Sequence, residues 1–173
     1  MVDAATTKSF FDYAAEDGSI PVNTYLFRVS AHEMREDKNG NGYLQLQTVV
    51  EEGEFAGFFG PRKSFFVPKH KTGFSKATGN PYTITVEQQK RELANEVFAI
   101  VDNDETALEL SQTQEFNEAL LAEIGPQLEG RLFYGKVVKN GEYNDFARRG
   151  IYPLSSPPEG ADIVAAGFSV DDL

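Results

Sequence analysis

Residues 53–76, GEFAGFFGPRKSFFVPKHKTGFSK, alternate aromatic and cationic side chains. The rings belong to Phe55, Phe58, Phe59, Phe65, Phe66 and Phe74. The positive side chains belong to Arg62, Lys63, Lys69, Lys71 and Lys76, and His70 lies among them. Because rings stack on nucleic-acid bases and cations contact phosphates, this composition is typical of a groove for single-stranded nucleic acid. The alternative interpretation is a buried strand followed by a solvated, lysine-rich loop.

Two pairs of adjacent phenylalanines in this stretch, Phe58 with Phe59 and Phe65 with Phe66, cannot lie wholly in the protein interior. Neighbouring residues on a strand point to opposite faces of a sheet, so we expect one ring of each pair at the surface or covering an end of the fold. Two exposed rings are enough to set the affinity, because stacking contributes roughly 1–3 kcal/mol per base. The alternation leaves open which ring of each pair is exposed.

The cations of the candidate groove are predicted to contact phosphates. In the first half of the groove these are Arg62, Lys63, Lys69, Lys71 and Lys76. A second group, which is predicted to complete the groove, consists of Phe133, Lys139, Arg148 and Arg149. Together with the phenylalanines these residues predict a surface for single-stranded nucleic acid, with no catalytic role for any of them.

Charge is distributed unevenly along the chain of 173 residues, which has a formal net charge of -11. Nucleic-acid-binding domains are usually basic overall, so a binding surface on this chain requires a local excess of positive charge. Residues 60–91 contain seven Lys or Arg and one acid, Glu87, whereas residues 92–130 contain ten acids and neither Lys nor Arg. A local positive strip on an acidic body can still attract a polyanion.

Several classes of chemistry are disfavoured by the residue types. The absence of cysteine excludes disulfides, thiolate metal sites and a cysteine nucleophile. The GPRK at residues 60–63 lacks the spacing of a phosphate-binding P-loop. The acidic run at residues 102–105 lacks the twelve-residue calcium-loop pattern. With two histidines and no convincing catalytic set, we expect a protein that is not an enzyme and uses neither metal nor cofactor.

Neither a secretory signal nor a membrane span is indicated by the apolar residues. The first residues lack a charged and then apolar signal pattern, and no apolar run approaches the roughly 18 residues that cross a bilayer. The expected location is therefore the cytoplasm, with no membrane partner.

Alternating hydrophobic residues predict the first two strands. Residues 22–34 and the run that starts at Tyr43 both alternate with a period of two. The DKNGNG at residues 37–42 between them is rich in turn residues, so the two runs are predicted to form an antiparallel hairpin. After it, Gly53 and Gly57 predict a sharp bend in the chain.

The middle of the chain is predicted to change from strand to helix. A third strand is expected at residues 63–67, followed by a mobile loop at residues 68–81. Thr85 and Gln88 have the spacing of a capping box, and hydrophobic residues at helical intervals follow them. A helix is therefore predicted to begin after Thr85.

The second half of the predicted domain contains one more helix and one more hairpin. The helix is expected at residues 113–124, with its end marked by the Gly-Pro at residues 125–126. The hairpin is expected to pair residues 132–139 with residues 142–151. The Asn-Gly at residues 140–141 is the strongest short hairpin signal.

Five strands with helices between the third and the fourth indicate a mainly β fold, namely a five-stranded OB-fold barrel with one or two inserted helices. Such barrels bind oligonucleotides on a strand face. The predicted domain covers residues 21–153, after an N-terminal arm at residues 1–20. Residues 154–173 are rich in Pro, Ser, Gly, Ala and acids, and we expect them to form a disordered, flexible acidic tail.

Short patterns within the predicted domain resemble a known family. They are GYLQL at residues 42–46 followed by GEFAG at residues 53–57, and LEGR at residues 128–131 followed by YNDF at residues 143–146. This arrangement resembles the OB-fold single-stranded DNA-binding proteins encoded by bacteriophages. The resemblance implies sequence-independent binding of single-stranded DNA in phage DNA replication or recombination, in the cytoplasm of a bacterial host cell, and it allows an oligomer.

The C-terminal tail strengthens this resemblance, since such proteins commonly end in a disordered acidic segment that recruits replication or recombination proteins. The residues expected to bind partners are Phe168, Val170, Asp171, Asp172 and Leu173. Family tails usually contain more acids and end in phenylalanine, so this tail departs from the pattern. Two other hypotheses are an OB-fold protein-interaction module without nucleic-acid binding, and a Mg²⁺-dependent hydrolase or nuclease.

Overall fold

A computed structural model of the chain describes residues 20–111 and 115–158. The described part contains seven strands and two helices. In chain order they are β1 (Thr24–Glu36), β2 (Gly42–Val50), β3 (Lys63–Phe66), β4 (Lys71–Phe74), β5 (Pro81–Ile84), α1 (Val86–Ile100), α2 (Glu118–Leu128), β6 (Leu132–Asn140) and β7 (Tyr143–Pro153). Neither of these two helices is long and apolar enough to cross a lipid bilayer.

Five strands form one antiparallel sheet in the order β3-β2-β1-β6-β7. The mainly β class is confirmed, and both helices lie between the third and the fourth strands of this sheet. β3 and β7 are the two edges, so within the described residues the sheet is open and the predicted barrel is not closed. β4 and β5 form a separate two-stranded hairpin.

Helix α1 lies between the two edges of the open sheet. From β3, Lys63 forms an ion pair with Glu96 of α1. From β7, Arg148 contacts Glu92 of α1 at 2.6 Å. Because Glu92 and Glu96 are about one helical turn apart, one face of α1 contacts both edges. The helix therefore links the two edges through side-chain ion pairs, and within the described residues β3 and β7 do not pair with each other.

β1 and β2 form the predicted hairpin, and buried residues alternate with partly exposed ones along β2. At the turn, the backbone N–H groups of Asn41 and Asn39 donate to the Asp37 carboxylate at 2.9 and 2.8 Å. Hydrogen bonds to a charged carboxylate stabilise the charged form. The bond from Asn41, and to a smaller extent the bond from Asn39, therefore lowers the pKa of Asp37. Gly40 completes the turn with a φ of 81°, a left-handed conformation that glycine adopts readily.

Phe27 of β1 lies at the centre of the hydrophobic core. Its ring centroid lies 5.8 Å from that of Phe133 and 5.2 Å from that of Phe146. Phe27 and Phe133 are directly opposite each other on β1 and β6, so both side chains point to the inner face of the sheet. Phe133 is 0% exposed, and its predicted contact with nucleic acid is therefore wrong.

Helix α1 begins with the predicted capping box. The Thr85 hydroxyl accepts a hydrogen bond from the Gln88 N–H at 3.2 Å, and the Gln88 side chain accepts one from the Thr85 N–H at 3.0 Å. These bonds satisfy donors that the start of a helix leaves without an intrahelical partner. Farther along, Leu93, Val97 and Ile100 form the buried stripe by which α1 packs on the core.

Replacing Thr85 by alanine is expected to lower the free energy of unfolding by about 1 kcal/mol. The change removes the acceptor for the Gln88 N–H and leaves the buried stripe of α1 unchanged. Urea denaturation followed by circular dichroism would measure the difference. Thr83→Ala, at an exposed position of β5, is the matched control. Equal losses in the two variants would contradict a specific role for the cap.

Helix α2 begins and ends later than predicted. It is capped by Asn117 and runs through Pro126 to Leu128, which is fully buried. Gly125 does not end the helix, because its role is to let α2 approach the sheet: a Cβ at this position would lie 2.8 Å from the ring of His32 on β1. Packing of the last turn on the core thus outweighs the poor helix propensity of the Gly-Pro pair.

The segment predicted as a mobile loop, residues 68–81, contains β4 and the start of β5. The turn of this hairpin closes where the Gly79 N–H donates to the Ser75 carbonyl at 2.7 Å. The base is fixed to α1 by Gln89, whose side chain accepts from the Lys69 N–H at 3.0 Å and donates to the Lys69 carbonyl. Most side chains of the hairpin are exposed, so no hydrophobic alternation indicated the two strands.

Candidate nucleic-acid interface

One face of β1, β2 and β3 points away from the core, and we call it the outer face. On β2, Leu44 and Leu46 are fully buried, whereas Tyr43, Gln45 and Gln47 are partly exposed on the opposite side. Strand register and proximity place twelve residues on this face. They are Arg28, Ala31, Glu33, Arg35, Tyr43, Gln45, Gln47, Val49, Phe59, Arg62, Ser64 and Phe66.

Two exposed aromatic rings mark the ends of the outer face. Phe66 is 55% exposed, and its ring stacks on that of Tyr43 with a centroid distance of 4.8 Å and an interplanar angle of 27°. Phe59 is 45% exposed and lies opposite Val49. Because Tyr43 and Val49 are six residues apart on β2, about 20 Å separates the two rings along the strand. The outer face is therefore long enough for several stacked or extended bases.

Cations and amides lie between the two rings. Arg62 is exposed and, with Gln45 and Gln47, lines a small cavity of about 220 Å³. Arg35 donates to the Gln45 side-chain oxygen at 3.1 Å and forms an ion pair with Glu33 at 3.3 Å. Among the described residues Arg62 has no ion-pair partner, so its guanidinium is available to a phosphate.

The inner members of the two phenylalanine pairs are less exposed than the outer ones. Phe65 is 3% exposed because it lies opposite Leu44 on the inner face. Phe58 is half-buried against the core, with its ring centroid 5.7 Å from that of Phe55. The predicted stacking of bases on Phe65 is therefore wrong, whereas that on the partly exposed Phe58 stays a prediction. One ring of each pair is exposed, as the alternation of a strand requires.

Lys63 does not join Arg62 on the outer face. Its side chain points to the inner side, where it pairs with Glu96 of α1 and its Nζ lies 5.4 Å from the centre of the Phe65 ring. Adjacent residues on an edge strand point to opposite faces, which separates the two cations. The charge of Lys63 is already neutralised, so we do not place Lys63 in the outer-face site.

A cleft of about 690 Å³ extends the outer face at the Phe66 end. It lies between the β1–β2 turn and the base of the β4–β5 hairpin, and Lys69, His70 and Lys71 line one side of it. Beyond the cleft, Phe74 and Lys76 are exposed on the hairpin. These predicted residues therefore form a second cationic and aromatic segment, which meets the outer face at Phe66.

The remaining predicted cations are in other parts of the fold. Arg148 and Arg149 line a groove between α1 and β7. Lys139 is exposed near the β6–β7 turn, opposite Asn144. None of the three lies on the outer face, so the predicted single groove is divided among separate surfaces. The predicted partner-binding residues Phe168, Val170, Asp171, Asp172 and Leu173 lie outside the described residues.

Of the outer-face residues, only Phe59, Arg62 and Phe66 were predicted site residues, and the prediction missed Tyr43 and Arg35. They lie opposite each other on β2 and β1, and Tyr43 also supports the Phe66 ring. The signal that could have found them is the alternation of β2 combined with the register set by the β1–β2 turn. Tyr43 lies on the face of β2 opposite Leu44, which indicates a partly exposed aromatic residue.

The acidic run after α1 uses its side chains for local hydrogen bonds. The Ser155 hydroxyl and N–H donate to Asp102 and lower its pKa. The Thr106 hydroxyl and N–H do the same for Asp104. In residues 20–111 and 115–158 no three His, Asp or Glu side chains form a group that could hold a metal ion.

Comparison with known proteins adds no family assignment. No protein-family model matches the chain, and no curated protein sequence matches it. The arrangement of side chains on the outer face is therefore the basis on which a function can be proposed.

Proposed function

We propose that the chain is a sequence-independent single-stranded DNA-binding protein without catalytic activity, acting in phage DNA replication or recombination. The observation that carries this proposal is the presence of two exposed rings, Phe59 and Phe66, on one sheet face, with Arg62 between them and without an ion-pair partner in the described part of the chain. Each ring offers roughly 1–3 kcal/mol of stacking to a base. Arg62 supplies the charge that a phosphate requires.

The ligand class follows from what the rings can reach. A base inside a duplex is already stacked on both sides, whereas a base of a single strand can lie flat on Phe59 or Phe66. Every base has a π face, so binding by stacking tolerates any sequence. The overall charge of -11 limits nonspecific contact with polyanions elsewhere on the molecule.

In this proposal the strand crosses β2 and β3 from Phe59 to Phe66 and then enters the cleft. There Lys69 and Lys71 contact its backbone, and Phe74 and Lys76 on the β4–β5 hairpin extend the contact. The OB-fold is a partly open barrel that binds oligonucleotides on the face of its second and third strands. We interpret the five-stranded sheet as an OB-fold in which α1 fills the gap between the outermost strands.

The proposal also assigns a role to the C-terminal tail. Its acids and its apolar residues, which include Phe168, Val170 and Leu173, would recruit replication or recombination proteins in the cytoplasm of the host cell.

Fluorescence anisotropy across a salt series would test the binding proposal, with labelled oligo-dT, oligo-rU and duplex DNA compared. We expect oligo-dT to bind more tightly than duplex, and log K to fall with log salt by about 0.7 for each phosphate contacted. Equal affinity for single strand and duplex would contradict stacking on Phe59 and Phe66. Absence of any salt-dependent binding would favour the protein-interaction module instead.

A further inference from the structure

The groove between α1 and β7 has a volume of about 390 Å³ and is lined by three arginines. Arg91 projects from α1, and Arg148 and Arg149 project from β7. Asn95, one turn beyond Arg91, adds an amide to the same wall. The proposed contact with the outer face makes no use of this groove.

β7 is distorted in a way that presents its two arginines. Ile151 pairs with Gly135 and Phe146 pairs with Val137, so four residues of β7 lie opposite the single Lys136 of β6. Such bulges redirect side chains away from a strand. Within the bulge Arg149 has a φ of 58°, a left-handed conformation that is unfavourable for a residue with a long side chain. Uncommon backbone conformations of this kind are concentrated at functional sites.

The groove is positively charged on a strongly acidic protein. Its two carboxylates are neutralised, since Glu92 pairs with Arg148 and Glu96 pairs with Lys63. Arg91 and Arg149 have no ion-pair partner among the described residues. The three arginines of the groove, together with Lys63 beside it, oppose two carboxylates and leave a local charge of +2, whereas the whole chain has a net charge of -11. Two unpaired guanidiniums that line one groove are suited to phosphate.

The groove is linked to the strand that follows Arg62 through the ion pair of Lys63 with Glu96. Arg62 lies on the outer face, and the next residue, Lys63, reaches Glu96 on the groove side of α1. From Glu96 the groove follows α1 toward its N-terminus, past Glu92. Residues one helical turn apart are separated by about 6 Å along this wall. A flexible polyanion bound at Arg62 could therefore pass over the start of β3 and across α1 into the groove.

We propose that the groove between α1 and β7 binds the phosphodiester backbone of the same single strand, after the strand has passed over the edge of β3. This inference rests on the proposed function of the outer face. Arg91 and Arg149 contact phosphates, and Asn95 donates a hydrogen bond to the backbone. The protein therefore binds a long strand over two connected surfaces and a short strand over the outer face alone.

The test compares oligo-dT of about 8 and about 16 nucleotides, within the range of site sizes known for one OB-fold. The variant combines Arg91→Gln, which suits a helix, with Arg149→Asn, because asparagine tolerates the left-handed conformation. At 0.1 M salt the loss of two phosphate contacts should weaken binding of the long oligonucleotide about 25-fold and flatten its salt slope by about 1.4. Binding of the short oligonucleotide should change little.

A matched control removes two charges elsewhere, by Arg131→Gln just before β6 and Lys139→Gln near the β6–β7 turn. This control should leave unchanged the ratio of the affinity for the long oligonucleotide to that for the short one. The groove proposal fails if the arginine variant also leaves that ratio unchanged, or lowers both affinities equally. Failure of the outer-face proposal is recognised separately, because Phe59→Ala with Phe66→Ala would then bind the short oligonucleotide as tightly as the unaltered protein.

Crosslinking gives a second measurement that does not depend on affinity. The chain contains no cysteine, so Asn95→Cys provides a unique attachment point for a photoreactive group in the groove. We expect crosslinks to the long oligonucleotide and none to the short one. A crosslinker at Lys139→Cys is the control. No crosslink from residue 95 to the long oligonucleotide, with binding intact, would overturn the proposal.

Discussion

Replacing Phe59 and Phe66 together by alanine is expected to weaken binding of oligo-dT by roughly 30-fold to 10⁴-fold. This range follows from the loss of two stacking platforms, each worth roughly 1–3 kcal/mol, and from a tenfold change in affinity for every 1.4 kcal/mol. Both rings are about half exposed, so their removal leaves the core intact. Anisotropy titrations of the single and double variants would measure the effect and show whether the two losses add.

The control for this experiment is Tyr143→Ala, which removes an exposed ring at the start of β7, away from the outer face. We expect it to bind oligo-dT as the unaltered protein does. Circular dichroism of every variant would verify the fold. If Tyr143→Ala weakened binding as much as the loss of Phe59 and Phe66, the assignment of the interface to the outer face would be wrong.

Phe27→Ala is expected to lower the free energy of unfolding by about 3–5 kcal/mol. The ring is fully buried and contacts those of Tyr25, Phe133 and Phe146, so its removal leaves a cavity that β1 and β6 cannot collapse to fill. Urea denaturation, with the midpoint and slope fitted separately, would measure the loss. A small domain has a total stability of only about 5–15 kcal/mol, so the variant should be close to unfolding.

Phe74→Ala provides the comparison for this change, because the same residue type is removed from an exposed position on the β4–β5 hairpin. Its free energy of unfolding should stay within about 0.5 kcal/mol of that of the unaltered protein. Similar losses for Phe27→Ala and Phe74→Ala would mean that Phe27 does not have the central packing role described above.

Local patterns were sufficient to predict several elements. The alternation on β2 and the DKNGNG turn specified the first hairpin, and the reciprocal bonds of Thr85 and Gln88 specified the start of α1. The Asn-Gly pair that joins β6 to β7 also lies where it was expected. Each of these features depends on residues that are close in the chain, where steric and hydrogen-bonding preferences act directly.

Features that depend on distant contacts could not be derived in this way. The burial of Phe133 depends on its position opposite Phe27, more than one hundred residues earlier. The ion pairs of α1 with both β3 and β7 join distant parts of the chain, which no local pattern encodes. For Phe65 and Phe66, alternation predicted one exposed ring, but the register of β3 on β2 decided which.

The bulge of β7 and the shortness of β3 also determine how neighbouring molecules can meet. The edge of an open sheet presents unpaired N–H and C=O groups to which a strand of another molecule can add. β3 offers only four residues for such pairing. On β7, the bulge with its two arginines interrupts the row of unpaired N–H and C=O groups. Both edges therefore disfavour intermolecular strand addition and the aggregation that follows from it, even at high protein concentration.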